Sequence, residues 1–134
     1  MKIDEVEGIG ETQAGKLADA GVTTAEELLQ WGANAAGRKS LEDTTGISGK
    51  VILEWVNHVD LMRIKGVGSE YSDLLEAAGV DSPSELTQRN AANLATTFQE
   101  IVAARPGLVR RVPSEAEVAA WIEDAKSLDK VVEH

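Results

Sequence analysis

Apolar positions along this chain recur at helical spacing and are separated by short polar breaks. After Gly10, Ala14, Leu17 and Ala18 share one face of a short segment; after Gly68, Tyr71, Leu74, Leu75 and Ala78 do the same. Each segment closes on a glycine, Gly21 or Gly79, suited to a left-handed helix end, and an apolar plug follows, Val22 or Val80. A new helix then begins with a capping signal. Thr24 stands three residues before Glu27; Ser82 stands three residues before Glu85, with Pro83 at the first helical position. The stretches "NAAGRKSLEDT" and "NAANLATTFQEIVAAR" each start on an Asn and read as helices. The second carries Leu94, Phe98, Ile101 and Val102 on one stripe and stops at Pro106-Gly107. Residues 48–62 bury a face of Val51, Ile52, Trp55, Val56 and Val59. A last helix opens on the Ser114 to Glu117 box and presents Val118, Trp121, Ile122 and Ala125. No stretch alternates as a strand does. The pattern predicts an all-α fold of about eight short helices with short connections.

The pattern is also written twice. A shift of 58 positions lays residues 6–28 on residues 64–86 without a gap, and eight of the 23 pairs are identical, from Gly8/Gly66 and Gly10/Gly68 to Leu28/Leu86. After an insertion of eight residues, "ISGKVILEWV" lies over "PSEAEVAAWI" and places Trp55 on Trp121. The expected organisation is a duplicated unit, 1–62 and 63–134, with the halves sharing one core in a pseudo-twofold compact domain. Only seven residues precede the first glycine corner, too few for a preceding helix. The helix of 114–128 is therefore expected to fold back beside the first corner, with exchange of that helix between two chains as the alternative; monomer and exchanged dimer both remain open.

Each copy opens on a Gly-apolar-Gly corner. Glycine permits positive φ and close backbone approach, and the apolar residue, Ile9 or Val67, anchors the corner in the core. The amides after it open a helix and lack intrahelical partners, with the positive end of the helix dipole behind them. Such a corner can hold a phosphate without reading a base. Val6-Glu7-Gly8-Ile9-Gly10 with Ala14 and Leu17, and Ile64-Lys65-Gly66-Val67-Gly68 with Ser72 and Leu75, resemble the helix-hairpin-helix motif. The tandem arrangement over the whole chain resembles an uncharacterised bacterial domain-of-unknown-function family of paired hairpin units. The resemblance implies amides that grip the phosphates of a DNA strand. On it, the second hairpin is the stronger candidate, through Arg63, Lys65, Gly66, Val67, Gly68 and Ser69. The first, through Gly8, Ile9, Gly10 and Lys16, is weaker because Glu5, Glu7 and Glu11 surround it.

Composition narrows the choice. A formal charge of −10 sets the chain against the basic surface usual for nucleic-acid binders. It leaves two partner classes: a DNA or RNA backbone through the second hairpin, or another protein met by an acidic interaction or scaffold module. Aromatic residues are few (three Trp, one Tyr, one Phe), so Leu, Ile, Val and Ala must build the core. No apolar run reaches the roughly 20 residues of a membrane span, and "MKIDEVEG" is not a signal sequence; a cytoplasmic, membrane-free protein is expected. With no Cys there is neither disulfide nor thiolate chemistry. His58 and His134 are the only histidines, without zinc spacing. His58 and Asp60 do not share a helix face, and His58 reads as a polar-face residue. No nucleophile–base arrangement, phosphate loop or calcium loop is present. A non-catalytic module without cofactor or metal is expected. Trp55 and Trp121 read as core, Trp31 as the one partly exposed Trp, and Arg38-Lys39 and Arg105, Arg110 and Arg111 as two small basic clusters on solvated surface, with contact to a phosphate as the alternative.

Overall fold

Side-chain caps open five of the helices. Thr24, Asn34, Ser82, Asn90 and Ser114 each accept the backbone N–H three residues on, satisfying a donor that the helix itself leaves without a partner. The computed structural model describes residues 1–134 and is all-α. Its helices are α1 (Glu11–Asp19), α2 (Ala25–Gly32), α3 (Ala35–Thr45), α4 (Gly49–Leu61), α5 (Ser69–Ala77), α6 (Pro83–Leu86), α7 (Ala91–Ala104) and α8 (Glu115–Lys126). A 3-10 turn, Ile3–Glu5, stands before the first corner, and the only strand-like pairing is a single bridge between Lys2 and Thr24. Among these five caps, the reciprocal half of the capping box is complete only at Ser114–Glu117. Glu27 instead takes the N–H of Thr23, and Glu85 takes Nε of Arg89.

The chain divides into two compact units, Met1–Asp60 with Val131–His134, and Leu61–Lys130. In the first, α1 turns at Gly21 (φ 90) and the Val22 amide returns to Leu17 O at 2.8 Å. Val6, Leu17, Val22, Leu28, Ile52 and Val56 are each at most 2% exposed. In the second, α5 turns at Gly79 (φ 88) and the Val80 amide returns to Leu75 O at 2.9 Å. Leu74, Leu75, Val80, Leu86, Phe98 and Val118 are fully buried in its core. There α8 packs on α6 and α7, and Trp121 stacks obliquely on Tyr71 and Phe98, ring centroids 5.1 and 6.4 Å away.

Three expectations are corrected. The helix expected beside the first corner, α8, belongs to the second unit. The place beside the first corner is filled by α4, whose Trp55 Nε1 lies 3.4 Å from where a Cβ on Gly8 would stand. His58 is buried, not on a polar face, because α4 is enclosed on all sides from Trp55 through Leu61. Arg38 is buried too; its Nη1 donates to Gly32 O at 2.8 Å and its Nη2 to Glu133 O at 2.7 Å. Two backbone carbonyls thus replace the water that a surface guanidinium keeps. Trp55 and Trp121 lie in the core and Trp31 is 45% exposed, as the apolar stripes require.

Candidate functional site

The two glycine corners have the same backbone. Gly8 (φ 88) and Gly66 (φ 93) hold positive φ, where a side chain would be strained. Both corners step through i to i+3 turns: Ile9 N to Val6 O at 3.1 Å in one, Val67 N to Ile64 O at 3.0 Å in the other. Ile9 and Val67 are each 5% exposed and pin the corner from below. Each positive-φ glycine also lies under a tryptophan of its own unit. Trp55 Nε1 stands 3.4 Å from the Cβ position of Gly8, and Trp121 Nε1 stands 3.0 Å from that of Gly66. A Cβ on Gly66 would crowd the indole of Trp121, whereas one on Gly8 would meet Trp55 at ordinary contact distance, so the requirement shared by both corners is the positive φ.

Helices α1 and α5 start directly from these corners, at Gly10 and Gly68, and neither has a side-chain cap. The corners differ in what covers them. Gln13 Oε1 stands 3.0 Å from the Cβ position of Gly10, whereas nothing lies within 4 Å of that position on Gly68. Glu5, Glu7 and Glu11 are exposed around the first corner, together with Lys16.

Around the second corner the charges are mostly committed. Arg63 Nη2 donates to Asp129 O at 2.9 Å, and the backbone N–H of Lys65 donates to Asp124 Oδ2 at 2.8 Å. Arg110 grips Glu70 with Nε and Nη2 at 2.9 and 2.6 Å, so the carboxylate in the first turn of α5 is neutralised by a partner 40 residues away. Arg111 grips Glu117 with Nη1 and Nη2 at 2.6 and 2.8 Å. The side chain of Lys65 is exposed and makes no ion pair. Beside the corner runs a groove of about 660 Å³ lined in part by Lys65, Gly66, Trp121, Glu117, Glu123 and Asp124.

The guanidinium of Arg111, followed by the backbone N–H of Ser114, holds the Glu117 carboxyl down at about 2, against an ordinary 4.5. A carboxyl depressed on folding stabilises the fold above its unfolded value and stops doing so as pH falls through its folded value. The contribution of Glu117 is thus full above about pH 4.5 and is lost progressively toward about pH 2. Carboxyl-resolved NMR titration should place Glu117 near 2 in the native protein and return it toward 4.5 in Arg111→Gln. An unchanged midpoint in that variant would show that the pair does not set it.

The corner residues Arg63, Lys65, Gly66, Val67, Gly68 and Ser69 thus occur together at one helix start, and Gly8, Ile9 and Gly10 at another, with Lys16 further along α1. Sequence reasoning missed Asp124, Arg110 and Trp121 as neighbours of the second corner. Of these, only Trp121 left a trace, in its alignment with Trp55. No helix is long and apolar enough to cross a membrane, and no group of three or more His, Asp or Glu residues could hold a metal ion. No curated protein and no solved structure matches this chain. One family model does, across residues 7–128, and by that match the chain belongs to the family described as Domain of unknown function (DUF4332).

Proposed function

We propose that this protein is a non-catalytic helix-hairpin-helix binding module that makes sequence-independent contact with a nucleic-acid phosphate backbone through its second corner. The observation that carries this reading is the contrast between Gly68, with open space around it and no side-chain cap on the helix it starts, and Gly10, where Gln13 stands over the corner. The first-turn amides of α5 supply donors at the positive end of a helix. Lys65 supplies a counter-charge not used in any ion pair of the chain, and Arg63 stands two residues before it. At about 0.1 M salt charges more than about 10 Å away are largely screened, so the opposing charge that matters there is the local one, from Glu117, Glu123 and Asp124 beside Lys65.

Binding of mixed-sequence duplex and single-stranded DNA, and of RNA, at low salt tests this. Wild type is expected to bind with an affinity that falls as salt rises, and Lys65→Glu to weaken every substrate by about tenfold, as loss of a phosphate contact does. No binding at low salt would remove the proposal. Binding that ignores Lys65→Glu would move the site elsewhere.

An acidic protein-interaction module is the second function that a specific feature favours. Glu117, Glu123 and Asp124 line the groove beside Gly66, and the Lys65 amide is already given to Asp124. A protein partner bound at that groove, in a chain that ignores nucleic acid, would select it.

A further inference from the structure

The segment Val131–His134 has no helix or strand, yet it is held to the first unit at three successive residues. Val132 is 1% exposed. The Glu133 N–H donates to Ala33 O at 2.7 Å, and the Glu133 carbonyl accepts from Arg38 Nη2 at 2.7 Å. His134 Nε2 lies 2.9 Å from Asn57 Oδ1. Val131 and the Glu133 residue are exposed. One residue is thus read through both of its main-chain groups, and its neighbour through a buried aliphatic side chain. Grooves that take extended peptides work this way: the main-chain bonds fix register and the alternate side chain selects.

The receiving groups lie far away in the chain, 95 residues for Arg38 and 77 for Asn57, so the contacts do not depend on local connectivity. Arg38 is 7% exposed and its Nη1 is fixed by Gly32 O. Its Nη2 is therefore preset toward the segment and requires an acceptor there, since a buried guanidinium left without one is costly.

We propose that α2, α3 and α4 form a peptide groove around Ala33, Arg38 and Asn57, that the chain's own Val131–His134 is its intramolecular occupant, and that the same segment of a second copy occupies it in trans. This does not rest on the nucleic-acid proposal. The occupant is an extended segment with an aliphatic residue in the place of Val132, followed by a residue other than proline. The attached segment competes at an effective concentration of order millimolar, so in dilute solution each chain fills its own groove.

The Val132→Asp chain tests this, because a carboxylate at that buried place keeps its own segment out. A fluorescent, amidated peptide with the sequence of residues 128–134, LDKVVEH, is expected to bind it saturably and to bind wild type at least about tenfold more weakly, the attached segment competing. The same peptide carrying Asp in place of Val132 is expected not to bind. Mixed with the Arg38→Met chain, whose own segment has lost its clamp, Val132→Asp is expected to sediment as a one-to-one complex. A Val132→Asp chain with native helical content that ignores the peptide, or binds both peptides alike, would overturn the groove; two non-interacting species would overturn the second copy as occupant. Should Val132→Asp fail to fold, wild-type hydrogen exchange decides. A displaceable segment predicts a Glu133 amide exchanging at least about tenfold faster than those of Leu28 and Ile52; equal protection would overturn the proposal.

Discussion

Trp121→Ala is expected to destabilise the second unit by about 3–5 kcal/mol, the range for emptying a large aromatic site in a core. Trp121 is 3% exposed, touches the rings of Tyr71 and Phe98, and closes on Gly66. Alanine removes all three contacts at once, and the groove beside the corner lets water reach the gap. Trp121→Phe keeps most of the apolar volume and should cost much less. Chemical denaturation of the two variants measures the difference. A loss below about 1 kcal/mol for Trp121→Ala would mean that the ring is not a core residue of this unit.

Gly37→Ala is expected to cost about 3 kcal/mol or more, at the upper end of overpacking penalties. A Cβ on Gly37 would stand 1.8 Å from Trp31 O, a backbone atom that cannot swing aside. The cause is the short joint between α2 and α3. Only Ala33 and Asn34 separate the helices, and Asn34 Oδ1 caps α3 by accepting the Gly37 N–H at 2.7 Å. The last turn of α2 and the first turn of α3 are thus held against each other where only hydrogen fits. Gly15→Ala is the matched control, since nothing lies within 4 Å of its Cβ position; it should be neutral or stabilising by up to about 1 kcal/mol, as glycine is a poor helix former. Equal melting of the two variants would contradict the close approach at Gly37.

Local features were legible in the sequence because their causes are local. The caps at Thr24, Ser82 and Ser114, the helix-ending glycines and the buried faces of Trp55 and Trp121 each follow from residues within one or two turns. What was not legible depends on distant partners. Arg38 is buried with one of its two carbonyl acceptors, Glu133 O, 95 residues away. His58 is buried because the second half of α4, from Trp55 through Leu61, is enclosed on every side, which its apolar stripe alone cannot reveal. The placement of α8 was missed for a related reason. Two nearly identical glycine corners offer the same seat for a tryptophan, and nothing in the sequence says which indole takes which seat. At the candidate site the glycine corners could be read directly. The pairing of Arg110 with Glu70 and of Asp124 with the Lys65 amide, across 40 and 59 residues, could not.

Those pairings decide what the second corner has left to offer: an open helix start at Gly68 and one unpaired lysine. Amide chemical-shift mapping of the full chain with a short mixed-sequence DNA at low salt tests that directly. The expected result is a cluster of shifts at Gly66, Gly68, Ser69 and Glu70 that fades in Lys65→Glu, with Gly8 and Gly10 nearly unmoved. Shifts centred elsewhere, or none at all, would contradict the second corner as a phosphate-binding site.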